Sequence, residues 1–155
     1  MALCEDLQAF CDAVNNAVDE TMLVDVANLA KSEISMEGFE RVYDAYNPKF
    51  YSRRGDNLGG ILDTDEMQTN YDGVGKTVKT LEIRSGARFQ HLWGGQYPQG
   101  EDLTDAVESG NRRFNMGLAG PRPFYSFAED RLEKSGLFDK TLETGVENSV
   151  GGRIF

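Results

Sequence analysis

His91 is the one histidine in the chain, so acid–base chemistry near neutral pH would rest on this imidazole and on the carboxylates that the fold brings to it. Asp63, Asp65 and Glu82 are the candidates. With His91 they define one reading, a small hydrolase or nuclease-like site; the plainer reading is a partly buried polar residue beside Trp93. No HExxH motif and no Cys/His cluster accompanies the histidine, which removes the common zinc arrangements. Asp63, Asp65, Glu66 and Asp72 suggest a cation loop, but the calcium pattern fails at Met67 and lacks its closing glutamate, so a solvated turn is expected. Gly75-Lys76-Thr77 ends like a phosphate-binding loop, yet Asn70 stands where the first glycine belongs. Val78, Thr80 and Ile83 also make the following stretch strand-like, whereas such a loop must open a helix. No catalytic residue, metal ligand or cofactor is expected.

Two arginine pairs suit a different chemistry. Arg53-Arg54 follow Tyr51-Ser52, and Arg112-Arg113 precede Phe114. Guanidinium groups bond carboxylates in pairs and stack on rings, so these clusters fit an interface with an acidic surface. Pairing within one subunit, or plain solvation, is the alternative. The chain itself supplies an acidic surface: residues 1–50 hold 3 basic and 10 acidic groups, against 16 and 26 in the whole chain. A second copy is therefore one candidate partner, and head-to-tail contacts between copies close into rings when the rotation permits. Trp93 and Tyr97, with the apolar Ile154-Phe155 end, complete the expected anchors. The net charge of -10 opposes indiscriminate binding to a phosphate backbone.

These groups must be positioned by one domain of ordinary size, 155 residues long, which can bury a core without disulfides. Cys4 and Cys11 lie about 10.5 Å apart along a helix at its usual rise, too far to bridge. They read as reduced, buried thiols of a cytosolic chain. No secretory leader and no membrane-length apolar run is visible. Leu3, Leu7, Phe10, Val14, Ala17 and Val18 recur at spacings of three and four and predict an amphipathic helix. Leu23, Val26, Ala27, Ala30 and Ile34 predict a second helix, capped near Thr21 or continuous with the first as one bent rod, with helix expected over 3–46. Residues 47–62 read as an ordered loop. Glu66–Tyr71 and Lys76–Arg84 flank Asp72-Gly73-Val74-Gly75 and predict a hairpin within a sheet-and-loop region, 63–120. Phe89–Trp93 reads as strand or short helix, and Thr104–Ser109 as strand or helical turn. Beyond Pro123, apolar positions from Phe124 to Val146 predict a helix over 123–147 with a kink at Gly136, then a flexible tail, 148–155. The fold expected is α+β: helices from both ends on a small antiparallel sheet with long ordered loops.

Four segments in order carry a resemblance. They are Val42-Tyr43-Asp44-Ala45-Tyr46; Tyr51-Ser52-Arg53-Arg54 with Gly59-Gly60; Ala106-Val107-Glu108-Ser109-Gly110; and Gly120-Pro121-Arg122-Pro123-Phe124. The chain resembles, over residues 20–147, the tail-completion and minor tail (neck) proteins of long-tailed bacteriophages. Their segments run as a Val-Glu-x-Gly turn and an Arg-Pro-Phe lead-in to the last helix. The resemblance implies a virion protein without an active site, made in the host cytoplasm, assembled as a homo-oligomeric ring (a hexamer favoured) and docked on neck, tail-terminator or tail-tube neighbours. DNA would be cargo passing a lumen, and no membrane is involved. A long Gly94–Asp102 loop and the lack of Thr-Gly after Pro48 depart from the pattern. A monomeric cytosolic binding module is a third reading.

Overall fold

A computed structural model describes residues 2–44, 60–87, 103–110 and 121–154. Helix α1 spans Ala2–Thr21 and α2 spans Ala27–Gly38, joined by a wide π-helical turn at Met22–Val26. A second such turn, Phe39–Tyr43, ends the rod. The expected bend is thus a π segment rather than a capped break: Thr21 keeps helical angles (φ -62, ψ -42) and its side chain makes no cap. Each wide turn adds a residue and rotates the face that follows, which lets one rod present different stripes to different neighbours.

Strands β1 (Met67–Asp72) and β2 (Thr80–Ser85) pair antiparallel, with Thr69 opposite Ile83 and Tyr71 opposite Leu81. The hairpin is present where expected, but β2 begins later than Lys76, so the turn is longer and Gly75 adopts a left-handed φ of 69 within it. Helix α3 (Leu103–Ser109) resolves the choice between strand and helical turn in favour of helix. Helices α4 (Phe124–Ser135) and α5 (Leu137–Ile154) follow. Gly136 separates them at φ 66, a left-handed position that suits a residue without Cβ. The architecture is α+β, as expected, with two strands in its sheet among the described residues.

The C-terminal pair folds back along the rod, α4 against α2 and α5 against α1. Gly145 is the close approach. A Cβ there would lie 2.7 Å from Thr21 Oγ1, so α5 can press against α1 only because this position is glycine. The flexible tail expected from 148 is instead helix, running through Gly151 and Gly152. Each glycine disfavours helix by about 1 kcal/mol, but Val146, Ser149 and Val150 are half-buried in the α1–α5 packing, and tertiary contact outweighs propensity.

The core gathers Ile34, Val42, Ile61, Leu62, Met67, Val107 and Phe124. It lies between the helices and the hairpin, which contributes Met67 with Ile83 packed beside it. Ile61 and Leu62, from the end of the 47–62 loop, are buried in it. The amphipathic reading of α1 holds only for its second half: Ala17 is buried, whereas Leu7 and Phe10 are 64% and 49% exposed. Leu23 is exposed as well, and Cys11 is a free, exposed thiol, not a buried one. The Phe89–Trp93 segment, the Gly94–Asp102 loop and residues 47–59 lie outside the described residues.

Candidate functional site

Three of the four segments that carried the resemblance meet at one place. Val42 ends the rod, Val107 sits on α3, and Phe124 opens α4; all three are buried in the same cluster, Phe124 completely. The main chain binds them together: Arg122 N–H donates to Val107 O at 3.1 Å, and the Arg122 guanidinium donates to Arg41 O. Glu108 accepts the Tyr125 N–H at 2.7 Å. That contact closes the open N-terminus of α4, where Pro123 has no side-chain oxygen to offer. Burial raises the Glu108 carboxyl above the usual carboxylate range, against the opposing pull of these backbone bonds. The Val-Glu-x-Gly segment is therefore the end of a helix rather than a turn, and its glutamate is a cap supplied from another element.

Beside this junction runs a charged seam between α2 and α4. Glu33 and Glu37 are buried at one helical turn's spacing. Arg131 Nε is 3.1 Å from Glu33 Oε2 and its Nη1 donates to Glu37 Oε1 at 3.3 Å. Arg41 Nε donates to the other Glu37 oxygen at 2.6 Å, and its guanidinium carbon lies 3.3 Å from the centre of the Phe127 ring. One planar cation stacks on a ring while the other spans two carboxylates, a geometry that arginine supplies and lysine does not. The seam fixes α4 in register on α2.

A second polar contact ties the hairpin to the rod. The Tyr71 hydroxyl and the Lys79 ammonium both donate to Asp19 Oδ1. Burial pushes the Asp19 carboxyl up, but Lys79 and Tyr71 together hold it below its ordinary value. Burial, then the bond to the Asp19 carboxylate, pushes the Tyr71 hydroxyl up to about 12.

Two open grooves flank these contacts. One, of about 720 Å³, lies between the rod, the hairpin and the C-terminal helices; Ile34, Leu81 and Leu132 line it beside the carboxylates Glu82, Glu129, Glu133 and Asp139. The other, of about 620 Å³, follows α2 from Asn28 to Phe39 and is bounded by Leu62 and Thr64. Among the described residues, Lys31 is the charged one lining it. Phe39 at its end is 55% exposed.

The sequence profile of the YomN family matches residues 5–148. The chain belongs to the YomN family. This family is phage-derived, so the phage affinity read from the four segments stands at that level. No curated protein and no solved structure matches the chain. The YomN profile spans the rod, the hairpin, the Glu108 cap and the Arg131 seam, the features that hold the described fold together.

Of the expected interface residues, Arg53, Arg54, Trp93, Tyr97, Arg112, Arg113 and Phe155 lie outside the described residues, as does His91; Ile154 is the last helical residue of α5. Two of the three carboxylates proposed to serve His91 have other employment. Asp63 is buried and accepts the Asp65 N–H at 3.1 Å in the turn before β1, and Glu82 pairs with Arg84, which holds its carboxyl below the ordinary value. Among the described residues no group of three or more His, Cys, Asp or Glu side chains could hold a metal ion, and no helix is long and apolar enough to cross a membrane. Sequence reasoning missed the Glu33–Glu37–Arg131 seam. The i, i+4 spacing of the glutamates on the buried side of α2 was the available signal.

Proposed function

We propose that this chain is a structural protein of a tailed phage particle, a tail-completion or neck subunit that joins tail to head as a ring of identical copies. The observation that carries the reading is membership of a phage-derived family over residues 5–148. The segments that carry the tail-completion resemblance lie within that span, and three of them form one structural junction at Val42, Val107-Glu108 and Arg122 to Phe124. The surface supports it. Leu7, Phe10, Val24 and Phe39 are large apolar side chains left exposed along one rod, the kind of area that contacts between subunits cover. The chain binds and does not catalyse; its neighbours are sister copies and the neck, tail-terminator or tail-tube proteins. It is made in the host cytoplasm and ends in the virion. The strong negative charge, densest in residues 1–50, lets DNA pass a lumen without sticking.

Deleting the gene from the phage that carries it tests this directly. The expected result is DNA-filled heads and complete tails that stay unjoined, with joining restored by adding purified protein. Normal infectious particles from the deletion would overturn the reading.

A further inference from the structure

The apolar stripe of α1 passes beyond its cover. Gly145 lies against Thr21 and Asp25, and α5 runs antiparallel to the rod, since Phe138 and Asp139 share a groove with Val26 and Ala30. Counting equal steps along both helices brings the last helical residue, Ile154, opposite about position 12. Leu7 and Phe10 lie past that point and are exposed. Cys11, also exposed, is on the same side of the helix, one turn beyond Leu7. The segment is acidic as well as apolar: residues 1–30 contain no Lys or Arg, and Asp6 and Asp12 flank the stripe.

The α2 groove is its complement. Met36, Phe39 and Leu62 supply apolar walls, Ser32 and Thr64 supply hydroxyls, and Lys31 supplies a positive charge. Among the described residues Lys31 has no ion pair, whereas Arg41, Lys76, Lys79, Arg84, Arg131 and Lys134 all do. Among the described residues no carboxylate lines this groove, whereas the other is rimmed by Glu82, Glu129, Glu133 and Asp139 and repels an acidic helix. From residue 28 to 39 the groove runs roughly 16 Å, longer than the roughly 9 Å from Asp6 to Asp12.

The two surfaces cannot meet within one molecule. About 25 residues of continuous helix separate Phe10 from Ser35, a span of roughly 38 Å. We infer that the first turns of α1 of one copy seat in the α2 groove of the next, with Leu7 and Phe10 against Met36, Phe39 and Leu62 and Asp6 or Asp12 on Lys31. Such a contact joins two different surfaces of one chain, so it propagates head to tail and closes into a ring when the rotation allows. It uses a helix in a groove, with anchors one turn apart. It rests on the ring reading above and names the joint of that ring.

Cys11 makes the joint testable in the full chain. With Cys4→Ser and Ser32→Cys, a short bismaleimide should link Cys11 to the introduced thiol and give a ladder of covalent dimers and higher species. Phe10→Glu or Phe39→Glu, both at exposed sites and each checked for normal folding by circular dichroism, should remove the ladder and weaken self-association roughly tenfold or more. A control thiol from Ser126→Cys on α4 should give no ladder. Oligomers seen by light scattering in the same samples without the Cys11 link, or with a ladder equal to the control, would overturn the joint while leaving a ring. A monomer at every concentration, without cross-links, would overturn both.

Discussion

Asp19 draws together a tyrosine, a lysine and two distant parts of the chain, and the consequence shows at alkaline pH. The folded Tyr71 hydroxyl holds its proton up to about 12, against an ordinary value of 10.0. A group whose folded pKa is raised contributes stability below its unfolded pKa and loses that contribution as pH rises through the folded one. Stability should therefore fall between pH 10 and 12. An ultraviolet absorbance titration should show a late tyrosinate that is lost in Tyr71→Phe and shifted back toward 10 in Asp19→Asn. Arg131 has a larger role. Arg131→Met leaves Glu33 without its cation and Glu37 with Arg41 alone, and should destabilise the fold by about 3 kcal/mol in urea unfolding; adding Glu33→Gln should recover part of the loss. The i, i+4 glutamates hint at a seam, but neither contact's cross-chain partner is legible in the sequence, because the partners are 52 and 94 residues apart.

At the scale of elements, local signals were read where local physics decides. The three-four spacing gave the rod, the glycines at 73 and 75 gave the hairpin, and Pro123 marked the start of α4. The errors follow from packing. Residues 148–154 look like a tail because Gly151 and Gly152 disfavour helix, but α1 lies alongside and holds them helical. Leu7, Phe10 and Cys11 look buried because periodicity reports which face is apolar, not whether anything covers it. The α1–α5 contact depends on a residue with no side chain. Gly145→Val would drive a branched group into Thr21, so it should lower the melting temperature sharply and loosen α5, measured as faster hydrogen exchange at 146–154 with α4 unchanged. Replacing the exposed Gly151 by Ala should instead raise stability by about 1 kcal/mol.

At the scale of the whole molecule, the fold is a long rod with the C-terminal helices laid back along it. Polar contacts lock its inner faces, while apolar side chains stay open at its first turns and beside α2. That arrangement suits the proposed self-association of a strongly acidic chain: its negative charge is concentrated in residues 1–50, and among the described residues lining the groove beside Lys31 none is a carboxylate. The interface arginines and Trp93, read from the sequence as anchors, belong to segments outside the described residues, so the joint proposed above is additional to them. The central claim is that the chain is a fixed part of the particle, and counting it there by quantitative mass spectrometry of purified virions is the most direct test. The account predicts a constant, ring-sized number of copies per particle, six if the ring is a hexamer. Particles that are infectious yet contain none, or a number that varies with the purity of the preparation, would contradict it.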